Sequence, residues 1–282
     1  MTIQLRTMQP DDLQHGHRLS QQVSWPHRQE DWRQALTLGQ GLVAETEQGI
    51  VGCGVIWPWG EHYSTVGLVI VDPSCQGQGI GKKLMEGLLE KVPEGNVRLH
   101  ATEMGKGLYE KYGFRVQCAI FQHQTAQLPA IEAPELSPDE KIRPLREEEL
   151  PTLIDSDYQS HGLSRPALWQ DLFNSAEALL VLEKSGTVHG YMALRKFGRG
   201  YVIGPMLAQD VHSALTLFCY GAAQLTGQFV RIDTYGNTPF SDWLVKQGLP
   251  CIDAPIMMVR GTPWQRADRA MQDFSFMSQA MG

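Results

Sequence analysis

The 282-residue chain has no run of 18 apolar residues and no Cys-x-x-Cys pair. The first absence excludes a membrane-spanning helix, which needs about 20 consecutive apolar residues. The five cysteines, at 53, 75, 118, 219 and 251, are odd in number and scattered. That argues against a disulfide framework and against a zinc site, so no metal is expected. A basic stripe is also missing, and the net charge is −7. A nucleic-acid partner is therefore disfavoured, because neutralising phosphates takes clustered Lys and Arg. Met1 to Arg6 lack the basic-then-apolar layout of a signal peptide. The expectation is a soluble, cytoplasmic protein with no membrane partner.

What is present is enough apolar residue, 42%, for ordinary globular cores. The length exceeds the usual single domain, and roughly 130 to 140 residues per domain predicts two. Residues 128–139 hold three prolines, three acids and no periodicity, and read as a linker. The reading is therefore a first domain over 1–127, a second over 140–263 and a tail over 264–282. Alternating apolar patterns predict strands near 3–7, 41–47, 50–57, 63–71, 96–102 and 115–124, with helices near 10–21, 28–38, 80–92 and 105–112. After the linker the order starts again. Lys141 to Leu145 mirrors Gln4 to Met8, the runs 178–183 and 188–196 form a second hairpin, and Trp243 to Leu249 stands where Leu108 to Phe114 stood. One fold is used twice.

The densest signal runs from Val66 to Leu89, where a β-branched strand breaks at Asp72-Pro73, enters Gln76-Gly77-Gln78-Gly79-Ile80-Gly81, and continues as an amphipathic helix. Glycines there let successive N–H groups converge on an anion, and the helix start adds its unpaired donors and dipole. Lys82 and Lys83 oppose that dipole, a placement that suits a phosphate ligand. Spacing excludes a P-loop, since Gly81-Lys82 is followed by Lys83 rather than Ser or Thr. It also excludes a dinucleotide fingerprint, which requires Gly-x-Gly-x-x-Gly. The second copy has no such loop, and Asp210 reads as an ordinary N-cap.

Read from Gln76 as Gln-x-x-Gly-x-Gly, the loop resembles the pyrophosphate loop of the GNAT superfamily of N-acetyltransferases, and the stretch Leu99 to Phe114, ending in Leu108-Tyr109-Glu110-Lys111-Tyr112-Gly113-Phe114, resembles that family's fifth strand and following helix. The resemblance implies an α/β (α+β) fold of two tandem GNAT-like domains, each a mixed, mostly antiparallel twisted sheet flanked by helices. It implies acetyl-coenzyme A as co-substrate. Val69 and Val71 would offer main-chain groups to its pantetheine arm, and Gln76, Gly77, Gln78, Gly79, Ile80, Gly81 and Lys82 would wrap its pyrophosphate. Thr102 and Gly105 stand where the family often has Asn and Ala. Tyr109 would protonate the departing thiolate, although a ring packed in the core is the competing reading. The second half resembles a degenerate acetyltransferase-like domain through His161 to Arg165, Gly190 to Arg195 and Ile203 to Met206, stretches without an assigned role.

The implied activity is N-acetylation of a primary amine on a small molecule, by direct attack in a ternary complex. A coenzyme A sensor without turnover and a peptide or protein N-acetyltransferase are the alternatives. No general base stands out among Glu45, Glu61, His62, His100 and Glu103. Trp25 and Trp57, each in an aromatic cluster, could line an acceptor site or simply pack in the core. Two halves pairing within one chain lower the need to dimerise, and a monomer is expected.

Overall fold

The computed structural model describes residues 2–92 and 95–282. The first half runs β1 (Gln4–Thr7), α1 (Leu13–Gln22), α2 (Gln29–Leu38), β2 (Gln40–Thr46), β3 (Gly49–Trp59), β4 (Tyr63–Val71), α3 (Ile80–Leu89), β5 (Asn96–Ala101), α4 (Glu103–Glu110) and β6 (Arg115–Thr125). The second repeats it as β7 (Glu140–Pro144), α5 (Leu150–His161), α6 (Pro166–Ser175), β8 (Ala178–Lys184), β9 (Thr187–Phe197), β10 (Gly200–Ala208), α7 (Val211–Ala222), β11 (Val230–Tyr235) and α8 (Pro239–Lys246). Three short strands follow, β12 (Cys251–Asp253), β13 (Ile256–Arg260) and β14 (Gln272–Ser275). Asp210 caps α7 by accepting from the Ser213 amide at 2.8 Å, as the sequence predicts. Segment 128–139 has no regular element over most of its length, yet Leu128 and Ile131 are buried against the second half.

The strands form one path in the order β1-β2-β3-β4-β5-β13-β6-β11-β10-β9-β8-β7, with β12 beside β6 and β14 beside β10. Among the described residues, only β4–β5 and β10–β11 pair in parallel. The centre of this path is an exchange. β13, from the second half, lies between β5 and the start of β6. The end of β6, from the first half, pairs with β11 over Val230↔Thr125 to Tyr235↔Ile120. Each half therefore completes the other's sheet.

Packing follows the same logic. One core joins α3 to the first sheet and includes Met258 of β13, while its counterpart joins α7 and α8 to the second. A third core lies between the halves. It gathers Trp32, Trp57 and Leu68 from the first with Leu163, Trp169, Tyr191 and Met281 from the second. Burying each large apolar side chain contributes about 1.5–3 kcal/mol, so the halves share the free energy that folds them.

The stretches of the second half that lacked a role line the path of residues 272–282. β14 pairs with β10 at Met206↔Ser275, and Phe276 donates its amide to Asp233 on β11 at 2.9 Å. The parallel pairing of β10 and β11 ends at Val202↔Arg231, so β14 fills the opening beyond it. Arg195 bonds the carbonyls of Gly204 and Met277. Arg165 forks onto buried Asp157 at 2.6 and 2.9 Å and donates Nη1 to the Gly282 carbonyl at 2.9 Å. Burial alone would raise the Asp157 pKa, but the charge of Arg165 and the His161 contact hold it well below the usual carboxylate range.

Candidate functional site

In the first half the corresponding opening is largely free. β4 and β5 pair only from Tyr63↔Asn96 to Val66↔Leu99 and then part. The β3–β4 register shifts so that Gly54 faces both Leu68 and Val69, with Leu68 at φ +52°. This bulge takes Leu68 and Val69 out of the ladder at the point where the strands diverge, the placement bulges often have beside reactive sites. β10 carries a register shift at the matching place, between Ile203 and Met206.

At the end of β4 the chain enters the glycine loop. Asp72 accepts from the Ser74 amide at 3.0 Å, and Gln76 closes the loop base by donating Nε2 to the Val71 carbonyl at 3.3 Å. Gly77 and Gly79 hold φ +77° and +78°, and a Cβ on either would meet only open space. Their conformation therefore requires glycine, while the space they leave admits a ligand. Gly79 is the N-cap of α3. The Ile80 side chain is buried in the core, which leaves its backbone as the part that faces the loop. Gln78 and Lys82 are exposed, and Lys82 lies 3.8 Å from Glu86. A cradle of positive-φ glycines at a helix start, beside parted strands, fits the pyrophosphate and arm of coenzyme A.

A cavity of about 110 Å³ opens between the parted strands. Val69, Thr102, Tyr109 and Trp25 meet there, joined by Gly67, His27, His100, and by Phe197, Arg231, Ser278, Gln279 and Ala280 of the second half. The loop residues 76–82 and Val71 do not line it. Trp57 lies elsewhere: it is fully buried and donates its indole N–H to the Ala35 carbonyl at 2.9 Å, under α2. The narrow end of the cavity is closed by the tail, since a Cβ on Gly67 would strike the Ala280 backbone and Thr65 donates to the Met281 carbonyl at 3.0 Å.

Thr102 caps α4 by accepting from the Gly105 amide at 3.3 Å. Burial pushes the Tyr109 phenol up to about 12, so it stays protonated and able to donate. A Cβ on Gly105 would stand 2.9 Å from Cε2 of Tyr109. Gly105→Ala should therefore raise the melting temperature, because Ala favours a helix by about 1 kcal/mol over Gly, yet lower turnover by displacing the ring. Unchanged turnover in the stabilised variant would show that the ring position is unimportant.

His27 belongs to the aromatic cluster around Trp25, whereas Phe197, Arg231 and the 278–280 segment carry no local motif and periodicity alone does not reveal them. Phe197 and Arg231 reach the cavity only because the second half packs on the loop between α1 and α2, where Arg28 donates to the Lys196 carbonyl at 3.0 Å and Asp31 accepts from the Gly198 amide at 3.0 Å.

Comparison with known proteins agrees with this geometry. Two family models, each described as an acetyltransferase (GNAT) domain, match residues 38–116 and 153–272. The uncharacterised N-acetyltransferase YitH of Bacillus subtilis (strain 168) is 26% identical over 279 residues, covering 94% of this chain and 93% of its own. The holothin acyltransferase of Pseudoalteromonas sp. (strain SANK 73390) is 24% identical over 204 residues, 71% of this chain and 68% of its own. Among solved structures, a candidate acetyltransferase from Pyrococcus horikoshii shares the fold at TM-score 0.77 and 19% identity, covering 99% of this chain and 96% of its own. A tandem GNAT protein from the clavulanic acid biosynthesis pathway does so at TM-score 0.68 and 11% identity, over 93% and 100%. With a GNAT domain matched in each half and one sheet running through both, the chain is a tandem member of the GNAT acetyltransferase family, an N-acetyltransferase.

Proposed function

We propose that the first half transfers an acetyl group from acetyl-coenzyme A to the amine of a small molecule, directly and within a ternary complex. The observation that carries this is the cavity at the parting of β4 and β5, which brings the Val69 bulge, Thr102 and Tyr109 to one place and is closed behind by the tail. Acetyl-coenzyme A supplies a thioester carbonyl as substrate. The backbone of Gly77 to Lys82 would hold its pyrophosphate, and the main chain of Val69 would meet its arm. A cavity of about 110 Å³ favours a small acceptor over a peptide. The Val71 carbonyl is already engaged by Gln76, so the pantetheine contact falls chiefly to Val69.

Tyr109 is suited to donating a hydrogen bond rather than to giving up its proton outright. Its phenol is held near 12, whereas a departing thiolate has a conjugate acid near about 8.5. The phenol can stabilise the developing sulfur charge while the net proton comes from the attacking nitrogen. Removing the hydroxyl should lower kcat by about ten- to thirtyfold, below the roughly hundredfold or more that full proton donors contribute. A thiol-release assay with acetyl-coenzyme A and an amine panel tests this, with Tyr109→Phe alongside and coenzyme A affinity measured by calorimetry. Equal kcat in the two proteins would remove Tyr109 from the reaction. Tight coenzyme A binding with no amine-dependent release would favour a sensor instead.

A further inference from the structure

Building on that acyl-transfer reading, we propose that the acceptor is a weakly basic amine carried on a planar aromatic or heteroaromatic ring, and that it enters the cavity uncharged. Shape is the first argument. The rings of Trp25, His27 and Phe197 form one wall, with His27 lying 6.0 Å from Trp25 and 5.1 Å edge-on from Phe197. His100 faces the same space and packs on Phe276 at 5.4 Å. Flat rings pack best against such walls.

Charge is the second. Among the described residues, no Asp or Glu lines the cavity. The two nearby carboxylates are saturated. Asp31 accepts from the backbone and guanidinium of Arg28 and from Gly198. Asp233 takes Arg231 in a fork and the Gln279 amide. Arg195 and Arg231 both lie 5.4 Å from the Phe197 ring. Three buried or half-buried arginines thus stand against two aspartates, leaving a net positive surround that opposes an ammonium.

The groups facing the two histidines show the same field. His27 meets Arg231 on β11, Arg195 on β9, Asp31 on α2 and His17 on α1, and burial first, then Arg231, pushes its pKa down to about 4. His100 meets Arg98 on its own strand and the main chain of Gln279, and burial first, then Arg98, pushes it down to about 3. Nδ1 of His27 and both ring nitrogens of His100 are shut off from solvent without a hydrogen-bond partner. Nε2 of His27, which is not among these enclosed atoms, can accept the N–H of a neutral amine and orient it. It makes a poor base for an alkylammonium of pKa about 10.4, a gap of roughly six units that opposes transfer about a millionfold.

A weakly basic amine needs no base beforehand. Its lone pair attacks the thioester carbonyl carbon, the carbon–nitrogen bond forms and the carbon–sulfur bond breaks. The nitrogen becomes acidic only on attack, and its proton goes to the leaving sulfur while the Tyr109 hydroxyl donates a hydrogen bond to that sulfur, giving an amide and a free thiol. His27 is the positioning residue in this scheme.

The test uses the full chain with acetyl-coenzyme A and compares aniline and 2-aminothiazole with putrescine, lysine and kanamycin from about pH 6 to about pH 9. The ring amines should be turned over with kcat/KM about a hundredfold above the others and with little pH dependence. Residual alkylamine turnover should climb about tenfold per pH unit, following the fraction of free amine. Phe197→Leu should lower kcat/KM for the ring amines by about tenfold while leaving coenzyme A affinity unchanged. Alkylamine turnover equal to or above that of the ring amines near pH 7 would overturn the proposal. Quenching of tryptophan fluorescence by each amine, with coenzyme A bound, separates the two readings. Ring amines that bind without thiol release would leave the acceptor class standing and sink acyl transfer, whereas failure of both ring amines to bind would sink the class.

Discussion

Met258→Asp should unfold both halves together, with a loss of about 5 kcal/mol or more. Met258 is fully buried in β13, yet it packs among Val66, Ile80, Leu84, Met85, Leu88 and Phe114, all from the first half. Truncating a buried methionine costs about 2–5 kcal/mol through lost contacts and the cavity left behind. A carboxyl placed there adds the desolvation of an unpaired polar group, about 1–3 kcal/mol by mutational measures. Domains hold only about 5–15 kcal/mol in total. Because β13 bridges β5 and β6 and β6 continues into the second sheet, the damage has no boundary at which to stop. Far-ultraviolet dichroism and tryptophan fluorescence should report one early transition. Two transitions, the second at the wild-type midpoint, would show that the halves fold independently.

Gly79→Asp should weaken coenzyme A binding by about a hundredfold, equivalent to about 2.7 kcal/mol, without unfolding the protein. Two effects act on the ligand. A side chain would occupy the open space that the glycine at φ +78° leaves over the loop. It would also bring a carboxylate up to the pyrophosphate, a like-charge contact costing several kcal/mol at an effective dielectric near about 20. The fold loses only the strain of one left-handed residue, because the side chain meets open space and Asp is among the few non-glycine residues that adopt that conformation. Calorimetry gives the affinity and a thermal melt gives the control. Wild-type affinity in a folded variant would show that the pyrophosphate binds elsewhere.

The parts of this protein that were legible in its sequence are those whose cause is local. Strand, Asp-Pro break, glycines and helix follow one another from Val66 to Leu89, and the structure places β4 and α3 within a few residues of that reading. Tyr109 and Thr102 could be located because one helix holds both. The cavity's other walls could not. The strand Ile256–Arg260 is not picked out from the sequence, and side-chain alternation tells which residues face a core, not which sheet receives a strand. Residues 264–282 read only as a tail because β14 is short and its partner lies more than 60 residues upstream. Trp25 and Trp57 look alike in sequence, and only the packing of α2 separates the cavity wall from the buried core. The bulge at Leu68 leaves no mark in composition at all.

The strand exchange also sets a problem of timing for the cell that makes this protein. Roughly 130 residues must be synthesised between the end of β6 and the arrival of β13, which at about 5–20 residues per second takes about 7 to 26 seconds. Through that interval the nascent first half presents the unpaired edge of β5, the kind of edge that recruits strands from other chains. Its glycine loop is finished early in synthesis and its sheet late, so a ribosome that stalls in the second half would release a product able to aggregate.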